Sequence, residues 1–197
     1  AGDNDNWHSS AHGNGLLVVI GASGDRVMTA PAGFGIDTPI TLYIDGETEK
    51  ATTLTYGSNT AGTISGIDLY QDTVRLEHSS TTGSINLADA DFYDAADDAD
   101  ILFTATTSTT TINGSLVVDT NTTLVAPQHL DLKNNLTIDG TFAAERGEVL
   151  FTGGDQTINT SATTTFYEFT AATTSARTLI FTSDEEYVFA GELVLSG

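Results

Sequence analysis

Apolar residues in this chain fall in short runs of four to six, bounded by Gly, Asn, Asp and Thr. No window sustains the i, i+3, i+4 spacing of an amphipathic helix, so the pattern predicts strands. They are expected over Leu16–Ile20, Ile40–Ile44, Ala51–Tyr56, Ile67–Leu69, Thr73–Leu76, Ile101–Ala105, Ser115–Val118, Leu136–Ile138, Val149–Thr152, Phe166–Thr170, Thr178–Phe181 and Glu192–Leu195. The stretch from Ala88 to Ala99 is the one candidate for a helical turn, although its Asp content favours caps and loops over helix interiors.

An apolar residue, one spacer and a glycine recur at Ile44-Asp45-Gly46, Ile64-Ser65-Gly66, Ile112-Asn113-Gly114, Ile138-Asp139-Gly140 and Phe189-Ala190-Gly191. The intervals between these glycines fit one or two units of roughly 24 to 26 residues, the length of one β-solenoid coil of three short strands. The expected fold is therefore all-β, a β-solenoid of the parallel β-helix kind, with β-sandwich modules as the alternative because they too place a turn every 8 to 12 residues or so. The expected organisation is an N-terminal arm and first strand over 1–35, a β-rich module over 36–105 and a solenoid-like module over 106–197.

The motifs LTIDGTF, GEVLFTGGDQTI, TTFYEFT, RTLIFT and FAGELVLSG between Asn135 and Gly197 carry a resemblance. This stretch resembles the Thr- and Gly-rich repeats of very large bacterial cell-surface proteins, especially those of candidate-phyla bacteria. The segments ITLYIDG, ISGIDLYQDTVRLEH and DADILFTA are similar to the region that precedes such repeats, so the resemblance covers about Pro39 to Gly197. It implies a parallel β-helix or related surface module, and it carries over no catalytic residue.

Composition narrows the function classes. The chain has 197 residues, with 27 Asp+Glu against 6 Lys+Arg and a formal charge of -21, which would repel nucleic-acid backbones and anionic lipid headgroups. No run of 18 apolar residues is present to form a spanning helix. Cysteine is absent, which removes disulfides and thiolate metal sites. Only two lysines (Lys50, Lys133) occur beside 34 threonines, a habit of secreted microbial surface proteins. The expected location is extracellular.

The densest polar cluster is Asp89, Asp91, Asp94, Asp97, Asp98 and Asp100. Carboxylates crowded in this way repel unless neutralised, and a hard cation such as Ca²⁺ takes several oxygen ligands of this kind. The spacing is not that of an EF-hand, because no glycine stands at the sharp turn and no glutamate closes the loop. Asp3-Asn4-Asp5-Asn6 is a weaker candidate of the same type, and His8 and His12 beside Trp7 are a weak terminal metal set. His78 and His129 have no neighbouring nucleophile in sequence, and the six cations are scattered. Sequons at Asn113, Asn121, Asn135 and Asn159 are candidate glycosylation sites.

These readings converge on a non-enzymatic structural protein of the cell surface, an extracellular filament subunit or adhesin stalk that associates with copies of itself or with adjacent repeats through strand contacts. The self-association residues are expected to be the continuous apolar strand Leu16, Leu17, Val18, Val19 and Ile20, open to donation into a neighbour's sheet, and Leu193 and Leu195 at a bare solenoid edge. The alternative is a carbohydrate-binding or polysaccharide-cleaving β-helix, with glycans as its partners. It would be marked by a groove bearing aromatics and convergent acids.

Overall fold

The computed structural model describes residues 11–12, 15–19, 28–29, 39–56, 63–64, 67–78, 83–91, 93–172, 175–182 and 185–196. Its parallel strands stack into a β-solenoid of about six turns. The complete coils have three strands each. Ser115–Val118, Thr122–Val125 and His129–Leu132 form one; Leu136–Ile138, Thr141–Ala143 and Glu148–Phe151 the next; then Gln156–Thr160, Thr164–Phe166 and Glu168–Ala172. Leu179–Phe181, Tyr187–Phe189 and Leu193–Ser196 make the final described coil. The first strands of successive coils build one face, a nine-stranded sheet that begins with Ala11–His12, Gly15–Val19, Pro39–Tyr43 and Thr52–Tyr56. The last strands build a six-stranded face, and the middle strands a third face in two shorter sheets.

Each coil closes because its strands alternate strictly, one residue in and one out. On the first face Leu116, Leu136, Ile158 and Phe181 stack in register, so a coil takes 20, then 22, then 23 residues. That is shorter than the glycine intervals suggested. The apolar-spacer-glycine motif marks corners of different kinds: Gly114 leads into the first face, Gly140 into the middle face and Gly191 into the last. Its recurrence therefore mixes corners and misstates the period. At each of these corners the backbone of the coil below leaves no space for a side chain. A Cβ on Gly114 would lie 2.6 Å from the Asp72 carbonyl oxygen, and one on Gly140 would overlap the carbonyl oxygens of Asp119 and Thr122.

Strands at Thr109–Ile112, Thr122–Val125, His129–Leu132, Thr141–Ala143 and Gln156–Thr160 escaped the hydrophobic pattern. Each buries only one to three side chains and turns polar or weakly apolar residues outward, so no apolar run announces it. Ile67–Leu69 is no strand; Ile67 and Leu69 pack on Ile40 and Leu42 in a small second cluster. The helical turn is real but short, a 3₁₀ turn over Leu87–Ala90. The main core runs without a break from Tyr43 to Ala171, across residue 105, where a module boundary was expected. Toward the C-terminal coils it becomes aromatic: Phe169 meets Phe151, Phe166, Phe181 and Phe189 with ring centroids 5.0 to 5.9 Å apart.

The two ends differ. Toward the N-terminal end, antiparallel Phe103–Ala105 is the last described strand of the six-stranded face, and Leu87, Ala90, Ile101 and Leu102 are buried beside it. At the other end, Leu179–Phe181, Tyr187–Phe189 and Leu193–Ser196 are each paired on one side only among the described residues. Gly140→Ala should lower stability by about 1–3 kcal/mol, the typical cost of forcing atoms into a filled interior. Urea unfolding checks this, and Gly154→Ala, where a Cβ meets nothing within 4 Å, is the control expected to change little.

Candidate functional site

The acidic residues lie on an insertion between the Gly83–Asn86 and Thr109–Ile112 strands of the first three-stranded coil. Asn86 caps its 3₁₀ turn by accepting from the Ala88 N–H at 3.1 Å, and buried Leu87, Ala90, Ile101 and Phe103 anchor it. Its aspartates then separate into distinct roles. Asp94 is turned inward, 3% exposed, and accepts from the Ala96 N–H at 2.7 Å and the Ala105 N–H at 2.6 Å. Asp97 accepts from the Asp94 N–H at 3.3 Å. Both shape the loop. Asp89 lies 3.4 Å from the Tyr56 hydroxyl, and Asp91 is exposed.

Asp98 and Asp100 are drawn instead to the turn that follows Pro39–Tyr43, where Asp45 joins them. One oxygen from each of the three lies within 4.8 Å of the others. The Tyr43 hydroxyl donates to Asp98 Oδ2 at 2.7 Å, and the Asp100 N–H donates to Asp98 Oδ1 at 3.0 Å. The Gly46 N–H donates to Asp100 Oδ2 at 2.8 Å from a positive-φ conformation that suits glycine. Lys50 Nζ stands 3.4 Å from Asp100 Oδ1 and donates to the Ala99 carbonyl. Burial, followed by the hydrogen bond to Asp98, pushes the Tyr43 hydroxyl far above its ordinary pKa, so it remains a donor. Chemically, this is a hard-oxygen site of three half-buried carboxylates with one built-in ammonium, suited to a single ion of the Ca²⁺ or Mg²⁺ class. Sequence alone marked Asp98 and Asp100. It missed Asp45, Tyr43 and Lys50, which lie about 50 residues away and join only when the hairpin packs against the insertion.

A second charged group sits on the outer side of the first face. Arg75 Nη1 reaches Asp68 at 3.2 Å and Glu77 at 3.4 Å, Nη2 donates to Asp119 at 2.5 Å, and the guanidinium lies 5.3 Å from the Tyr70 ring centroid. Burial raises the Glu77 carboxyl, Arg75 opposes that shift, and Asp119 and Asp68 add to it. On the last face, His129 Nδ1 is 3.1 Å from Glu148 Oε2, and Thr170 donates to Glu148 Oε1 at 2.8 Å. The Glu148 carboxylate thus bridges the hydroxyl and the imidazole, one oxygen to each.

The remaining sequence candidates fall as follows. Leu16–Val19 lies within the Gly15–Val19 strand, paired along one edge with Pro39–Tyr43, while Ala11–His12 pairs on the other edge with Leu16 and Gly15. Ile20, Trp7, His8 and the Asp3–Asn6 stretch lie outside the described residues. Leu193 and Leu195 are bared, 44% and 62% exposed. Asn113, Asn121, Asn135 and Asn159 are all exposed, although Asn135 Oδ1 already accepts from the Thr157 N–H at 2.8 Å.

No family model, curated protein or solved structure matches this chain.

Two outcomes follow. If Ca²⁺ is taken up, it should raise the melting temperature with the logarithm of its concentration, and Asp98→Asn should abolish that rise. Asp94→Ala should instead destabilise with or without Ca²⁺, by about 2–3 kcal/mol for two stranded backbone donors. Calorimetry in chelator and in millimolar Ca²⁺ separates them. The second outcome concerns pH. A carboxyl whose folded pKa is raised contributes stability below its unfolded pKa and loses it as pH rises through the folded value. Relative to the native chain, Glu77→Gln should therefore gain in melting temperature as pH climbs from about 4 to 7, as thermal scans across that range would show.

Proposed function

We propose that the chain is a secreted, non-enzymatic structural module of the cell surface, a solenoid stalk segment that self-associates through strand contacts. The observation that carries this reading is the use made of its polar side chains, which lace each coil to the next. Gln156, 2% exposed, donates to the Leu132 and Asn134 carbonyls at 3.0 and 2.7 Å, one coil below. Arg177 donates to Gln156 Oε1 at 2.7 Å and to the Gly153 carbonyl at 3.0 Å. Asn134 donates to the Asn113 carbonyl at 2.9 Å, and Asp155 accepts from the Thr178 N–H at 2.6 Å. Side chains of this kind would line a groove in a β-helix that acts on a polymer. Here they bind backbone, which suits a rod that bears load.

The aromatic residues favour the same reading. A sugar-binding groove presents ring faces to solvent, whereas Tyr43, Tyr56 and the phenylalanines of the main core are turned inward. Tyr70 is exposed, but its ring is engaged with Arg75. The extracellular location is supported by the Cys-free, Thr-rich and acidic composition, and Ca²⁺ at Asp45, Asp98 and Asp100 would add a tie between hairpin and insertion. The test pairs negative-stain microscopy with glycan arrays and polysaccharide turnover assays. Short rods with neither glycan retention nor product release are expected; specific retention or any turnover overturns the reading.

A further inference from the structure

We propose that Arg75 and Glu77 form a proton-operated latch for a strap, residues 67–72, that lies across the outer side of the first face. With a proton on Glu77 the strap is held down, and loss of that proton loosens it. Such a latch is compatible with any function of the solenoid, and its test is separate from that of the structural-module reading. The strap makes no ladder with the sheet. Its residues alternate, with Ile67 and Leu69 half-buried against Ile40 and Leu42, and Asp68 and Tyr70 exposed. Among the described residues, three further contacts hold this stretch to the strands beneath it. Thr53 donates to the Asp68 carbonyl at 2.7 Å, Arg75 Nη1 reaches Asp68 Oδ2 at 3.2 Å, and the Tyr70 ring lies against the guanidinium. Asp72 anchors the far end: its N–H donates to the Lys50 carbonyl at 2.6 Å, and its own carbonyl accepts from the Ser115 N–H at 2.8 Å.

The latch follows from how one guanidinium is divided. Nη2 serves Asp119, while Nη1 is shared between Asp68 at 3.2 Å and Glu77 Oε2 at 3.4 Å. Glu77 Oε2 is buried and receives no hydrogen bond, so among the described residues this shared nitrogen alone meets its charge. Three carboxylates about one guanidinium leave an excess of two negative charges when all are ionised, and close like charges favour protonation of one of them. Glu77 is the one: burial raises its pKa, Arg75 opposes that shift, and Asp119 and Asp68 add to it. The other elements packed there bring it no cation. Pro39–Tyr43 and Thr52–Tyr56 carry no charged residue, His78 stacks its ring on Tyr56, and Asp139, one coil beyond Asp119, is a further acid. While Glu77 is neutral, Nη1 belongs to Asp68 and the strap is closed. As pH rises through the folded pKa, Glu77 ionises and claims its share of Nη1. Asp68 is then the carboxylate able to withdraw, its side chain 61% exposed against 19% for Glu77 and 24% for Asp119. The backbones of the other two are fixed, since the Glu77 N–H donates to the Leu54 carbonyl at 3.1 Å and the Asp119 N–H to the Leu76 carbonyl at 3.0 Å.

Hydrogen–deuterium exchange of the 197-residue chain, read by mass spectrometry and corrected for the intrinsic pH dependence of amide exchange, tests this. The range is about pH 5 to 8, above the ordinary aspartate titration. Protection over 67–72 should fall about two- to fivefold across it, the span that ion pairs of this exposure give. Peptides from the Leu136–Ile138 coil should keep theirs. Glu77→Gln, which preserves the size of the side chain and fixes it neutral, should hold the strap at its acid-side protection throughout. Asp68→Asn, at an exposed position, should show the weaker alkaline-side protection throughout. Constant protection in the native chain, protection that rises with pH, a fall shared equally by the Leu136–Ile138 coil, or a fall that survives in either variant each overturns the latch.

Discussion

Everything in this molecule depends on the parallel stacking of one coil on the next, with strands about 4.8 Å apart. Once the backbone ladders of three faces are in register, every side chain stands directly over its counterpart in the coil below. An inward position is mostly apolar, with Thr110, Thr122, Gln156, Thr160 and Thr164 as buried polar members, and must tolerate a neighbour of similar bulk above and below it. The rows Leu116–Leu136–Ile158–Phe181 and Leu130–Val149–Phe169–Leu193 obey this rule, and the phenylalanines gather where several rows meet. The same stacking removes the space at corners, so glycine stands where a carbonyl of the lower coil lies against the chain.

Outward positions are released from that rule, and most of the carboxylates reside there, whereas threonine also serves at buried positions such as Thr110 and Thr122. A charge of -21 is tolerable because the carboxylates occupy turns, corners and the last face, where water screens them, or are met one by one by donors. Arg75 joins three of them, Lys133 reaches Asp131 at 2.6 Å, and His129 meets Glu148. Pairs of this exposure contribute little individually.

Stacking also explains why the ends are the chemically distinct parts. An interior coil has all its edges paired, whereas a terminal coil must be closed or shared. The insertion beside the first three-stranded coil buries Leu87, Ala90 and Ile101, and its aspartates serve as turn builders and ties. The C-terminal end remains a section through the core.

The sequence by itself determined the all-β class, the corner glycines and the acidic run, because each follows from local chemistry: β-branched residues, short apolar runs and charge density. The solenoid was legible as well, although its coil length was not, since glycine marks corners of three kinds. Half of the strands were hidden because a strand that buries two leucines among threonines carries too little apolar signal. Only the tertiary structure decided that Leu16–Val19 is an inner strand of its own sheet, for apolar content requires cover without naming its source. Only it decided that, of six aspartates close in sequence, Asp94 and Asp97 build the loop while Asp98 and Asp100 meet Asp45 and Lys50. That sorting depends on which way each side chain leaves a turn and on which distant hairpin packs against it, and neither is encoded in spacing along the chain.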